Sequence, residues 1–195
     1  TTPSYAWAIC DNGSTRRETA KELDAIEMAG EATVVRTGKN LWFTRGCNLG
    51  ILALANVPEG PVLLLNPDCA VGPGWLEEML ETADSPQVGV VGAVLVNESD
   101  VVVHAGATGP GDHEAQGEPY DAGAPWARRR KWEGWITGAC LLITPPALKA
   151  VGGALNEKYK HFLSDKVLCD DVRAAGYQIW LSAAKVTHSV GGSSQ

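Results

Sequence analysis

Three carboxylates and one imidazole, Asp11, Asp68, Asp165 and His188, stand at points where predicted strands end. In open α/β sheets ligands bind outside the carboxyl ends of the strands, so these positions say more than the residue types do. Singly, each has a plain structural role. Asp11 in Asp-Asn-Gly-Ser suits an Asx turn, Asp68 suits a helix cap, and a lone histidine is more often a satisfied core or surface residue than a ligand. A second concentration of chemistry is Arg128-Arg129-Arg130-Lys131 between Trp126 and Trp132. Charge with interleaved aromatics suits phosphate contact and base stacking, weighed against an ordinary solvated loop.

The elements that would position these groups alternate between short β-branched runs and helical patterns, the mark of an α/β sheet. Strands are expected at Tyr5–Cys10, Thr33–Arg36, Val62–Leu65, Val88–Val96, Val101–His104, Ala139–Ile143, Gln178–Leu181 and Val186–Ser189. Val62–Leu65 is wholly apolar, as suits the centre of a parallel sheet. Helices are expected at Arg16–Ala29, with Leu23, Ile26 and Met28 or Ala29 inward, at Cys47–Asn56, from Pro73-Gly74 through Leu80, from Pro145 to Gly152, and at Ser164–Ala175. Between Gly106 and Lys131 the periodicity dissolves into glycine, proline and charge, which reads as a mobile lid or binding loop. The Phe162-Leu163 pair is expected to anchor the turn before Asp165 in the core. One domain is expected over 1–195, with a front half at 1–105, the loop at 106–131 and a back half at 132–195.

Composition excludes several classes. Sixteen Lys plus Arg against 23 Asp plus Glu give a net charge of −7 over 195 residues, which argues against a general polyanion binder. With 45% hydrophobic and 20% charged residues, the chain is a globular protein rather than a disordered one. Cys10, Cys47, Cys69, Cys140 and Cys169 contain no CxxC pair, so neither a disulfide scaffold nor a zinc module is expected, and a reducing cytoplasm is. The longest apolar run, Val88–Val96, falls far short of the ~20 residues of a membrane helix. No stable membrane insertion is expected, and no signal segment opens the sequence.

Longer motifs tie these points together. DNGST at 11–15, GKNLWFTRGCNLGI at 38–51, LLLNPD at 63–68, PGWLEEML at 73–80, WITGACLLI at 135–143, NEKYKHFLSD at 156–165, AAGY at 174–177 and VTHSVGGSS at 186–194 together resemble the family 2 glycosyltransferases, closest to the rhamnosyltransferase-like branch. The resemblance implies a GT-A-like (Rossmann-like), mostly parallel sheet flanked by helices. It implies an inverting, metal-dependent transfer of a sugar from a nucleotide-diphospho-sugar to an acceptor hydroxyl. It places Asp68 at the metal-binding end of a DxD-type motif whose first position is Asn66, and gives His188 to the metal or pyrophosphate site, with Mn2+ or Mg2+ as the cation. Asp11, with Asn12 and Ser14, falls to the base or ribose. Asn40, Arg45 and Asn48 fall in the nucleotide and sugar pocket, together with Gly138 and Ala139. Asp165 aligns with the catalytic base, with Glu133 next in line, while Asp170 and Asp171 are expected to be solvated. Trp135, Arg128, Arg129 and Arg130 are assigned to the acceptor.

The sequence also departs from the family pattern. Ser164 stands where an acid normally precedes the base. The resemblance leads us to expect that a strand-helix unit carried by family members before the DNGST strand is missing here, whether trimmed, supplied by another chain or a dimer mate, or absent from a reorganised sheet. The acceptor expected is a glycan or lipid-linked sugar, with a hydroxymethylated base of phage DNA as the alternative, in which case the location is the host cytoplasm. The competing function is a sugar-nucleotide or glycan-binding protein with impaired catalysis. A nucleotidyltransferase is disfavoured because no glycine-rich, basic phosphate loop is seen near the front.

Overall fold

The computed structural model describes residues 5–57, 60–109, 111–160 and 163–189. Their contacts divide into two compact units, 1–59 with 154–164, and 60–153 with 165–195. Among the described residues no helix is long and apolar enough to cross a membrane. All five cysteines are free thiols.

In the first unit, β1 (Ala8–Asp11) and β2 (Thr33–Arg36) run parallel, with Asp11 opposite Arg36. The crossover between them is α1 (Arg17–Met28), tied to β2 by Arg36, which meets Asp24 and Glu27 at 2.7 Å each. Leu23 is buried and Ile26 half-buried, three residues apart on one helix face. Met28 or Ala29 is expected inward, and neither is. Met28 is 89% exposed because a step of two residues turns it away from that face. The exposed Ala29 is the cap at which the helix ends. The second helix, α2 (Trp42–Ala53), starts at Trp42 rather than at Cys47. Side chains supply what propensity does not signal: Asn12 Oδ1 accepts the Leu41 N–H at 2.8 Å and Asn40 Oδ1 the Trp42 N–H at 2.7 Å, occupying amides that would otherwise lack partners. Gly13 has φ +91°, and a Cβ there would sit 2.6 Å from the Lys39 carbonyl carbon. Only glycine lets the 11–14 turn seat on the 39–40 turn.

The second unit is a seven-stranded sheet. Its main order is β3 (Val62–Leu65), β10 (Cys140–Ile143), β5 (Val88–Val96), β11 (Gln178–His188) and β4 (Cys69–Val71). Short strands β6 (Val102–His104) and β9 (Arg130–Trp132) add to β5 and β11. The helices of this half are α3 (Trp75–Ala83), α4 (Pro145–Ala150) and α5 (Ser164–Ala174). The sheet is mixed: β5 and β11 pair in parallel, and the other strand pairs are antiparallel. Val62–Leu65 ends that main order, pairing antiparallel with β10, instead of taking the centre of a parallel array. A continuous apolar run marks burial but carries no direction.

All nine residues of β5 are buried. Gly92 lies where a Cβ would overlap the Ile136 side chain, so a glycine in mid-strand marks a close approach. The two strands expected at 178–181 and 186–189 are one, interrupted by a bulge. From Leu181 to Lys185 β11 advances four residues while β5 advances two, from Gly92 to Val94. The bulge is held by the Ala183 N–H donating to Glu78 Oε1 at 3.1 Å and the Ser182 hydroxyl donating to the Gly92 carbonyl at 2.9 Å.

The 106–131 run, expected as an irregular lid, carries regular structure. β7 (Ala107–Gly109) pairs with β8 (Asp112–His113), a 3₁₀ turn covers Pro125–Ala127, and β9 joins β11. Trp126 and Ala127 are buried against Val94, Val96 and Val102. One tryptophan anchors a segment whose glycine and proline content hides it from periodicity. Leu163, expected in the core, is half exposed with φ +66°. Phe162 and the terminal 190–195 tail lie outside the described residues.

Glu78 joins α3, the bulge and Arg129, which reaches it at 2.6 Å. The Arg129 guanidinium holds its carboxyl below the usual range. A depressed folded-state value contributes stability above the unfolded value that is lost as pH falls. Glu78→Ala is expected to cost about 1 kcal/mol at pH 7, and the difference from wild type should narrow as the pH falls from 7 to 3. Urea unfolding at both pH values measures it.

Candidate functional site

The expected site residues fall in both units, and each set has its own geometry. In the second unit Asp68 lies between β3 and β4, and His188 ends β11. β4 pairs with the end of β11, setting Cys69 opposite His188, and the Ser189 N–H donates to the Asp68 carbonyl at 3.0 Å. That register brings His188 Nε2 to 3.2 Å from Asp68 Oδ1, with side chains 20% and 14% exposed. Both atoms are buried, and neither has a hydrogen-bond partner among the described residues, so the short separation does not have hydrogen-bond alignment. A protonated imidazole would face the carboxylate as an ion pair, whereas a neutral one leaves both atoms buried without a partner, which is costly. A cation shared by their lone pairs would remove that cost.

Cys69 completes a cluster whose ligand atoms lie within 4.8 Å of one another. Burial, and then the Asp68 charge, push its thiol up to about 11, and its Sγ–H points to the Ala139 carbonyl at 3.4 Å. Its sulfur is also soft, and a hard cation prefers oxygen ligands. The remaining carboxylate and imidazole, completed by phosphate oxygens, fit Mn2+ or Mg2+. Asn66 enters through its backbone: its N–H donates to the Ala139 carbonyl at 2.8 Å and its carbonyl accepts the Cys69 N–H at 3.1 Å. The sequence reading treated Cys69 only as an unpaired thiol. Its adjacency to Asp68 was the available signal.

Asp165 lies in the first turn of α5. Its Oδ2 accepts the Gly138 N–H at 3.2 Å and its Oδ1 accepts the Lys166 N–H at 2.8 Å. Gly138 and Ala139 are therefore brought together with Asp165 and the Asn66–Cys69 turn. Asp170 is not simply solvated: Lys166 and Arg173 hold it at 2.6 Å each. Asp171 is exposed as expected. Glu133 is exposed and paired to Lys131 at 2.8 Å.

The basic run is internally compensated. Arg129 meets Glu78 and Glu81 at 2.6 and 3.1 Å, Arg130 meets Glu114 at 2.5 Å and lies 4.6 Å from the Trp132 ring, and Arg128 donates to the Gly123 carbonyl at 2.9 Å. Trp135 is half-buried, its ring 5.5 Å from that of His104 and 5.6 Å from that of His113.

In the first unit Asp11 Oδ1 accepts the Ser14 N–H at 2.8 Å, closing the Asx turn. The Asn12 amide donates to Asn40 Oδ1 at 3.2 Å and to the Trp42 carbonyl at 3.1 Å, besides accepting from Leu41. Three of its four hydrogen-bonding capacities serve the chain. Asn48 exchanges a pair of bonds with the Leu155 backbone, at 3.0 and 2.8 Å, and Arg45 meets Glu157 at 3.1 Å. These residues brace the 154–160 segment against α2.

Comparison with known proteins gives the family and the fold. The family model described as glycosyl transferase family 2 matches residues 2–133. "Uncharacterized protein y4gI" of Sinorhizobium fredii (strain NBRC 101917 / NGR234) is 32% identical over 193 residues, 95% of this chain and 21% of that protein. An N-acetylglucosaminyl-diphospho-decaprenol L-rhamnosyltransferase of Mycobacterium tuberculosis (strain CDC 1551 / Oshkosh) is 26% identical, covering 92% of this chain. The chain spans about a fifth of the first relative and 65% of the second. In structure it is similar to GalNAc-T7 with UDP, GalNAc and Mn2+, at a TM-score of 0.66 and 10% identity over 93% of this chain and 37% of that one. That likeness shows the GT-A fold.

Asp68→Ala should weaken Mn2+ binding, titrated calorimetrically with UDP present, by at least about tenfold. Cys69→Ser should leave it within about twofold, since a soft sulfur contributes little to a hard cation.

Proposed function

The chain belongs to glycosyl transferase family 2, and from that premise we propose that it transfers a sugar from a nucleoside-diphospho-sugar to an acceptor hydroxyl with inversion. The observation that carries this reading is the buried, unmatched pair Asp68 Oδ1 and His188 Nε2, 3.2 Å apart. It is accompanied by a carboxylate, Asp165, oriented by two backbone amides. Asp68 and His188 would hold Mn2+ or Mg2+, and when bound the cation offsets charge developing on the departing diphosphate. Asp165 takes the proton of the acceptor hydroxyl as its oxygen bonds to the anomeric carbon. The bond from that carbon to the phosphate oxygen breaks, and the nucleoside diphosphate leaves. Each oxygen of Asp165 retains a lone pair beyond the one given to a backbone N–H, so orientation and proton acceptance are compatible.

In the first unit Asp11 offers a carboxylate oxygen to the base or ribose. Asn12, Asn40 and Asn48 act by shaping the loops, because their side-chain oxygens already accept N–H groups within the chain. A glycan or lipid-linked sugar is the acceptor class we favour. The rhamnosyltransferase relative is named for a decaprenol-linked N-acetylglucosaminyl diphosphate, and the arginine run that suggested DNA has its Arg129 and Arg130 charges neutralised by Glu78, Glu81 and Glu114.

Asp165→Asn keeps the shape and removes the base. Turnover of a sugar nucleotide with Mn2+ should fall about 10²–10⁴-fold, with donor affinity nearly unchanged. Rates within threefold of wild type would overturn the assignment, and wild-type donor binding without any turnover would favour the impaired binding protein.

A further inference from the structure

Near Asp165 lies a group of side chains that the proposed transfer does not use. His104, at the end of β6, is only 3% exposed. Its Nε2 lies 3.1 Å from the Thr137 backbone nitrogen and its Nδ1 3.1 Å from Nδ1 of His113. A backbone N–H only donates, so His104 Nε2 must accept, and its ring proton must sit on Nδ1. Burial reinforces this state: it pushes the His104 imidazole down to about 3, aided by His113 and His188. The Nδ1–H then donates to His113 Nδ1, which must be unprotonated, and the His113 ring proton falls on Nε2. The donors run in one direction, from Thr137 N–H through His104 to His113.

What this chain of bonds holds is one residue, Thr137, through the two peptide groups that flank it. Thr137 N–H is fixed by His104, and the next amide, Gly138 N–H, donates to Asp165 Oδ2 at 3.2 Å. Upstream, Trp135 and Ala107 exchange backbone bonds at 2.7 and 3.0 Å, and the Trp135 ring packs on both histidines. Downstream, the Ala139 carbonyl accepts from Asn66 and Cys69. The 135–139 segment is thus set from β6 and β7 and passes that setting to the carboxylate.

We propose that His104, locked as its Nδ1–H tautomer by Thr137 and His113, is a positioning residue that orients the Asp165 carboxylate through the backbone of Thr137 and the Gly138 amide. The proposal rests on the reading of Asp165 as the base. A misplacement of about 1 Å at a reacting group is enough to cost ~10²-fold in rate, and such a loss falls on kcat rather than on donor KM.

The test combines two measurements. Nitrogen-15 NMR of histidine-labelled wild type at neutral pH should show His104 protonated on Nδ1 and His113 on Nε2; the opposite tautomer at His104 overturns the proposal. His104→Phe keeps an aromatic ring but loses the acceptor, whereas His104→Gln restores one for Thr137 N–H. Amide exchange at Thr137 and Gly138 should accelerate in the Phe variant and return toward wild type in the Gln variant. With the Mn2+ complex and a sugar nucleotide that wild type turns over, kcat of the Phe variant should fall at least about tenfold at near-constant KM. The Gln variant should recover most of it. Unchanged exchange at both amides in the Phe variant, or a Gln variant no better than Phe, overturns the proposal. If the Phe variant does not fold, the wild-type tautomers and the Gln variant decide. Were wild type inactive with every donor, the transfer reading would fail, while the NMR and exchange results would still judge the role of His104.

Discussion

A strand buried along all nine residues meets no water at any point, so every backbone amide and carbonyl of β5 has to find its partner inside the protein. β11 supplies most of them on one edge, running parallel from Gln178 to Thr187. β10 and β6 share the other edge. With β11 held in that register, its last residues emerge beside β4, and His188 comes to rest next to Asp68. The placement of the two candidate cation ligands is therefore a consequence of how β5 is satisfied.

The bulge in β11 lets one strand serve two neighbours. Its first part keeps step with β9, its last part with β4, and the extra residues at 182–184 take up the difference. Glu78 accepts the Ala183 amide that the bulge frees from the ladder. A bulge next to a functional side chain is a common way to re-aim a strand end. Here it sits four residues before His188, so α3 and Arg129 contribute to the site without touching it. The 135–139 segment plays the complementary part: its amides and carbonyls, rather than its side chains, carry Asp165 and the Asn66–Cys69 turn.

Much of this was legible in the sequence. Thr33–Arg36, Val62–Leu65 and Val88–Val96 stand where their β-branched and aliphatic runs placed them, and the pairing of Asp68 with His188 follows the motif order. What sequence did not carry was direction and side-chain bonding. The early start of α2 depends on Asn12 reaching across 29 residues to the Leu41 amide, which no local propensity records, together with Asn40, which bonds the Trp42 amide two residues on. The order within 106–131 depends on one tryptophan, and the antiparallel setting of β3 on partners far along the chain. The arginine run reads in sequence as a solvated or anion-binding loop because its glutamate partners lie outside the run. His104 and His113 carried no pattern beyond their type; only their bonds to Thr137 and to each other single them out.

The account stands or falls on the claim that Asp68 and His188 are a cation site built by the β4–β11 register. The most direct measurement is anomalous diffraction from crystals grown with Mn2+ and a nucleoside diphosphate. The account predicts an anomalous peak coordinated by the Asp68 carboxylate, His188 Nε2 and diphosphate oxygens, with Cys69 Sγ still turned to the Ala139 carbonyl. A bound diphosphate whose Mn2+ lies away from both side chains, with His188 and Asp68 left as they are now, would contradict it.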